Sequence, residues 1–245
     1  MSDRRGSILL SGENHHYLTN VLRLQDGEAF DALDPGGARA ICRIIRRDRV
    51  SCMVEVLFEE GSHRPLGPRI TLFQCLPKAR KMDIIVRQST ECGTAEIIPI
   101  QSQFSLAEVP ADRLKDRLQR WNRIAREATQ QSGAGMVPVV HPPARLDQIP
   151  ARWDGRGVGL VFQQVRLDSS SILDSLAEPD SEIAPCIGPE GGVTKDELRL
   201  LLDSGFKSAY LGERILRCET AAAYALGAID AACEISARGA SSKHD

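Results

Sequence analysis

A change of hydrophobic rhythm near residue 65 divides this sequence into two parts that cannot share one architecture. Before it lie short β-like runs, Ile8–Leu10, Glu28–Leu33, Arg39–Ile45 and Val50–Leu57, with Asp34-Pro35-Gly36-Gly37 as a turn signal among them. Short strands set apart by turn residues predict a small β-barrel. Gly61-Ser62-His63-Arg64-Pro65-Leu66-Gly67-Pro68 then interrupts the pattern and reads as a linker between domains over residues 1–66 and 69–240.

From Arg69 onward strands alternate with helices. A strand at Ile70–Cys75 leads to a helix over about 79–92, with Gly93 placed to close it. A strand at Ala95–Ile100 precedes a helix over about 111–131. Its Leu114, Leu118, Trp121, Ile124, Ala125 and Ala128 recur at three- and four-residue steps, so one face packs and an arginine-rich face is left to solvent. Further strands are expected at Gly157–Phe162, Ile183–Ile187 and Lys207–Leu211. A helix opens at Thr194, where Thr194 and Glu197 make a capping-box pair, and closes at Gly205. An alanine-rich helix over Thr220–Ala237 comes last, before a fraying tail at 241–245. This alternation implies a parallel α/β sheet.

Composition narrows the function classes. The seven cysteines include no C-x-x-C pair, which points to a reducing compartment and no structural metal. No run of 18 apolar residues occurs and no secretory core follows the charged start, so a cytoplasmic protein with no membrane segment is expected. A net charge of −2 excludes an indiscriminate polyanion binder, yet residues 69–136 carry 11 basic against 7 acidic side chains and are the expected electrostatic face for phosphates. Aromatics make up 4% of residues, so RNA contact has to lean on cations and backbone more than on stacking. His15 and His16 lack metal-type spacing and read as packing or capping residues.

Two segments have the composition of ligand loops. Ile187-Gly188-Pro189-Glu190-Gly191-Gly192-Val193-Thr194 runs from an apolar strand through glycines into a capped helix, where the backbone can approach a ligand closely. A plain tight turn gives the same pattern. It is neither a Walker loop nor a G-x-G-x-x-G fingerprint, which disfavours a phosphate site. Leu211-Gly212-Glu213-Arg214-Ile215-Leu216-Arg217-Cys218-Glu219-Thr220 again joins a strand to a helix, with Arg217 and Glu219 just ahead of it. A surface ion pair is the alternative there.

In this order and about 20 residues apart, the two loops resemble the closing motifs of the small-subunit methyltransferase E group of the SPOUT class, which methylates a 16S ribosomal RNA uridine at N3. His15-His16-Tyr17-Leu18 with Val21-Leu22-Arg23-Leu24 is similar to that family's amino-terminal signature. Leu76-Pro77-Lys78, Thr90-Glu91-Cys92-Gly93, Ile97-Ile98-Pro99, Gln131-Ser132-Gly133 and Val137-Pro138 resemble its middle motifs.

The resemblance implies a PUA-like β-barrel followed by a SPOUT α/β domain whose carboxy-terminal segment forms a trefoil knot. It implies S-adenosylmethionine as cofactor, 16S ribosomal RNA or the small ribosomal subunit as partner, and a homodimer through the knotted region. Carried over residue by residue, Gly188, Pro189, Glu190, Gly191 and Gly192 form one cofactor loop and Leu211, Gly212, Ile215, Leu216 and Arg217 the other, with Phe162 as a further candidate. Arg217 is the expected electrostatic catalyst and Glu219 its neighbour at the helix end. Arg23, Lys78, Arg80, Lys81 and Arg126 are the expected RNA contacts. The chain departs from the pattern at Gln88, where the family usually has Lys, and at Phe104 and Ala134, where it usually has Arg. These departures leave two alternatives open, a non-catalytic RNA-binding factor that keeps the fold and a SPOUT enzyme with another RNA target.

Overall fold

The computed structural model describes residues 6–33, 39–60, 68–105, 110–134, 136–153, 155–164, 176 and 182–241. The turn expected at Asp34–Gly37, the linker up to Gly67 and the tail beyond residue 241 lie outside the described residues. The chain forms two compact units, residues 1–64 and 65–245.

In the first unit β1 (Ser7–Ser11), β2 (Ala29–Leu33), β3 (Arg39–Arg47) and β4 (Ser51–Glu60) make an antiparallel sheet in the order β1-β4-β3-β2. Side chains alternate between its faces. Cys42 and Ile44 of β3 and Cys52, Val54 and Val56 of β4 therefore share one core, closed by Leu18. The β3–β4 turn is fixed by Asp48, whose carboxylate accepts the Val50 and Ser51 amides at 2.8 Å. Those amides hold the Asp48 carboxyl below its ordinary value. His15, in the short helix α1 (Glu13–His16), is buried with Nε2 3.1 Å from the Asp48 carbonyl, the packing and capping role expected of it.

The second unit is built on a seven-stranded sheet in which every pairing is parallel. Its strands are β5 (Thr71–Cys75), β6 (Glu96–Gln101), β7 (Val139–Val140), β8 (Ala144–Arg145), β9 (Val158–Gln163), β10 (Ile183–Ile187) and β11 (Lys207–Tyr210), in the order β11-β9-β10-β5-β6-β7, with β8 also on β6. A parallel sheet needs cover on both faces, and the strand residues divide accordingly. Leu72, Ile97, Leu160 and Ile183 join a core with Ile85 and Val86 of α2 (Lys81–Glu91), Trp121, Ile124 and Ala125 of α3 (Ala111–Ser132), and Ala222, Leu226 and Ile229. Their strand neighbours Phe73, Ile98, Val161 and Ala184 face the opposite core with Ile149, Trp153, Leu201 and Phe206. Ile149 belongs to α4 (Ile149–Arg152) and Leu201 to α5 (Lys195–Asp203), while Ala222 to Ile229 lie in α6 (Cys218–Ser241).

The buried face predicted for α3 is the one that packs, and Gly93 and Gly205 follow their helices at positive φ as expected. β7 and β8, two residues each, escape a sequence reading because no period is visible over that length. β9 starts at Val158 rather than Gly157. Gly157 has φ 98°, and a Cβ there would lie 1.9 Å from the Glu182 carbonyl oxygen. The chain can pass that point only as glycine.

Candidate active site

Because all seven strands run the same way, the loops leaving their carboxyl ends gather along one edge of the sheet. The chain moves outward from β5 to β6 but crosses β9 in passing from β10 to β11, so neighbouring β5 and β10 feed connections in opposite directions. Such a point leaves a crevice beyond the strand ends, the usual ligand position in open α/β sheets. The loop after β5 carries Lys78 and Arg80 and ends at Lys81, the first residue of α2, and the loop after β10 carries the glycines.

These loops are joined by Glu190. Its carboxylate accepts the Lys78 amide at 3.3 and 3.4 Å and the Lys81 ammonium at 2.8 Å. Lys81 Nζ also lies 3.5 Å from Glu219, in the first turn of α6. One ammonium therefore holds the loop after β10 and the loop after β11 together. Hydrogen bonding to Glu190 raises the Lys81 pKa above its ordinary 10.5. Partial burial alone would raise both carboxyls, but Lys81 and backbone amides hold Glu190 and Glu219 below 4.5.

A pH window follows. The depressed carboxyls contribute stability fully above 4.5 and lose it as pH falls through their lower folded values, while the lysine contributes below 10.5 and fades as pH rises through its raised value. Lys81→Met is expected to lower the melting temperature at pH 7, and the gap from wild type should close as the pH drops below 4. A gap of constant size between pH 7 and pH 3, followed by circular dichroism, would exclude the ion cluster as its source.

Glycine backbone shapes both loops. Gly188 is packed so that a Cβ would come within 3.2 Å of the Gly192 backbone, and the Gly192 amide donates to the Pro189 carbonyl at 2.9 Å. Gly192 (φ 72°) and Gly212 (φ 106°) are in the left-handed region with open space where a side chain would stand. A ligand can thus meet the main chain directly. Pro189 is buried, Leu211 and Leu216 are half-buried, and Ile215 is 83% exposed. Phe162 lies in register with Ile187 and Ala209, so it marks the ends of three adjacent strands.

Arg217 is exposed at the entry of α6, where its carbonyl accepts the Ala221 amide at 2.7 Å. Among the described residues no carboxylate pairs with its guanidinium, so the surface ion pair is not formed. The Glu219 carboxylate accepts from the Cys218 thiol at 3.3 Å. Burial first, then that hydrogen bond, pushes the thiol up to about 12, which keeps it protonated and unfit as a nucleophile.

The structure assembles the sequence candidates unevenly. Glu190, Glu219 and Lys81 meet, although Lys81 is engaged with carboxylates rather than presented to a phosphate. Lys78, Arg80 and, on α3, Arg126 are exposed. Of the other α3 arginines, Arg120 is held by Asp83 at 2.7 Å and Arg123 lies 3.8 Å from Glu127. Arg23 is exposed in the first unit at φ 55°. The Lys81 junction was invisible in the sequence, since its partner Glu190 is 109 residues away and no local spacing encodes the contact. A cavity of about 490 Å³ bounded by Arg69, Thr71, Glu96, Arg152, Trp153 and Glu182 lies at the strand starts, the opposite edge. Its Arg69 is already bound to Glu96 and within 3.8 Å of Glu182.

The donor set discriminates between ligand classes. The amino end of α5, where a phosphate would normally dock, is occupied by the Thr194–Glu197 capping box, with amide contacts of 2.8 and 3.2 Å. Two carboxylates against one ammonium leave the junction anionic, which suits a cationic nucleoside better than a phosphorylated one.

Comparison with known proteins agrees with this geometry. Residues 64–230 match the profile described as RNA methyltransferase domain, and residues 10–57 match that of the RNA methyltransferase PUA domain. Fold and site therefore define an RNA methyltransferase with an amino-terminal PUA-like domain. Ribosomal RNA small subunit methyltransferase E of Bacillus subtilis is 30% identical over 92% of this chain and 90% of its own length. The protein of that name from Synechocystis is 32% identical over 93% of this chain and 74% of its own length. Among solved structures, ribosomal RNA small subunit methyltransferase E from Neisseria gonorrhoeae bound to S-adenosyl methionine superposes with a TM-score of 0.83 at 27% identity, covering 94% of each chain. A putative methyltransferase from Legionella pneumophila in complex with SAM gives 0.84 at 27% identity, over 95% and 94%. The chain belongs to the ribosomal RNA small subunit methyltransferase E family.

Proposed function

We propose that the protein methylates N3 of a uridine in 16S ribosomal RNA, within the small subunit, using S-adenosylmethionine, and works in the cytoplasm as a homodimer. The observation that carries this reading is the junction of Lys81 with Glu190 and Glu219, which unites two glycine loops beyond the ends of β5, β10 and β11. The return of the chain from β11 at the sheet edge to α6, which packs against α2, supports a threaded carboxy-terminal segment of the knotted kind.

The residues fit the cofactor. Gly188 to Gly192 and Leu211 to Arg217 would hold it, with open backbone at Gly192 and Gly212 and with Pro189, Leu211, Leu216 and Phe162 as the apolar side chains nearby in these loops and strand ends. When bound, S-adenosylmethionine supplies a methyl group on a sulfonium, ready for displacement. The protein's contribution is alignment of an acceptor base along that axis, together with stabilisation of the negative charge the base carries once its imide proton is lost. Arg217 suits the second task because no carboxylate among the described residues pairs with its guanidinium. The exposure of Arg80 and Arg126, and of Arg23 in the PUA-like unit, supports assigning them to RNA phosphates.

The test is direct. The protein is incubated with cofactor labelled in the methyl group and small subunits lacking the modification, and the labelled base is then mapped. Label at uridine N3 of 16S RNA is expected. Label confined to transfer RNA would overturn the target, and cofactor binding without transfer to any RNA would favour the non-catalytic RNA-binding alternative.

A further inference from the structure

We infer that Phe104 is a stacking platform for the acceptor strand, giving this chain an aromatic contact to an RNA base at the rim of the cofactor loop. The inference rests on the reading of the site as an RNA methyltransferase centre. Among the described phenylalanine side chains only Phe104 is exposed, with 47% of its surface open. The turn that carries it is nevertheless closely bonded. Residues 102 to 105 form a tight turn in which the Ser105 amide donates to the Ser102 carbonyl at 3.0 Å and the Ser102 amide to Ser105 Oγ at 3.1 Å. The two buried serine hydroxyls lie 2.8 Å apart, and Gln101 Nε2 donates to the Ser105 carbonyl at 3.2 Å. The Gln103 amide donates to Glu197 at 2.7 Å, which ties the turn to the first residues of α5.

This turn aims the ring at the glycine loop. A Cβ on Gly191 would meet Phe104 Cβ at 3.1 Å and ring atoms at 3.3 and 3.5 Å, so the ring rests on bare backbone and keeps much of its surface free. A single exposed apolar side chain is ordinary in itself. What sets this one apart is its seat, a hydrogen-bonded turn that holds an open aromatic face against the bare backbone of the glycine loop. Single-stranded bases stack on aromatic side chains whatever their sequence, and a ring already ordered loses little freedom on binding. The place where the resemblance leads one to expect a guanidinium is thus filled by a residue that holds a base by its face instead of a phosphate by its charge, which lowers the salt dependence of RNA binding.

Phe104→Leu and Phe104→Trp separate stacking from packing, because leucine still covers Gly191 but has no π face. With unmodified small-subunit RNA, kcat/KM and equilibrium RNA affinity for Phe104→Leu are expected to fall about ten-fold, Phe104→Trp to stay near wild type, and the Kd for S-adenosylmethionine to hold in both. Wild-type behaviour of Phe104→Leu overturns the inference, as does a parallel loss of cofactor affinity, which would make the ring a support for the loop. A changed sedimentation coefficient would assign the ring to a contact with a second copy and overturn it too. Failure of the wild type to transfer any methyl would instead sink the methyltransferase reading, and RNA affinity would still read the stack.

Discussion

Arg217→Ala is expected to lower the rate of methyl transfer about 10²- to 10³-fold while changing the Kd for S-adenosylmethionine by less than about three-fold. The asymmetry follows from what the residue does in the fold. Its backbone opens α6 and its neighbours Leu211 to Leu216 form the loop, and alanine preserves both. Its guanidinium has no carboxylate partner among the described residues, so removing it leaves no buried charge behind and costs the native state little. On the proposed mechanism, what is lost is a cation that would face the acceptor base, where charge develops as the base is deprotonated and attacks. Single-turnover transfer rates and calorimetry, measured side by side, check the split. An unchanged single-turnover rate would remove Arg217 from the chemistry, and a Kd that rises in step with the rate loss would recast it as a cofactor ligand. Arg217→Lys should recover part of the rate, since it keeps the charge without the planar fork.

Gly157→Ala should destabilise the second unit by at least about 3 kcal/mol. Two costs add. A Cβ at φ 98° is strained in itself, and here it would sit 1.9 Å from the Glu182 carbonyl oxygen and 2.8 Å from the Glu182 nitrogen, both main-chain atoms that cannot swing aside. The Val158 amide donates to that same carbonyl at 2.7 Å, so relief of the clash breaks the first link between β9 and β10. Since β9 carries Phe162 to the strand ends and β10 carries the glycine loop, cofactor affinity should fall along with stability. Urea denaturation measures the first effect. A midpoint equal to that of wild type would mean the backbone here relaxes at no cost. Gly155→Ala is the control: it shares a positive φ (76°) but meets nothing within 4 Å, so its loss should be much smaller.

Much of this architecture was legible because local chemistry and fold agree. The strand-to-helix alternation after Arg69, the packed stripe of α3 and the Thr194–Glu197 box each depend on residues within a few positions of one another, and each appears as expected. The glycine loops were legible for the same reason. The junction that brings them together was not. Lys81 reads in sequence as one more cation on a basic helix, and only the order β11-β9-β10-β5, which no periodicity encodes, brings Glu190 and Glu219 to it. Phe104 was visible as a departure from the expected arginine, but its seat on Gly191 depends on the same strand order. The register of β7 and β8 was out of reach because two residues carry no rhythm.

The reach of Lys81 across the chain also sets when this junction can form during synthesis. Its partner Glu190 lies 109 positions later, and Glu219 later still, so a nascent polypeptide emerging amino end first exposes this lysine long before either carboxylate has been translated. Until the first turn of α6 has been synthesised, the junction of Lys81 with Glu190 and Glu219 cannot close. Contacts so distant in sequence close slowly. The joint between the two loops is therefore among the later contacts of the second unit to form.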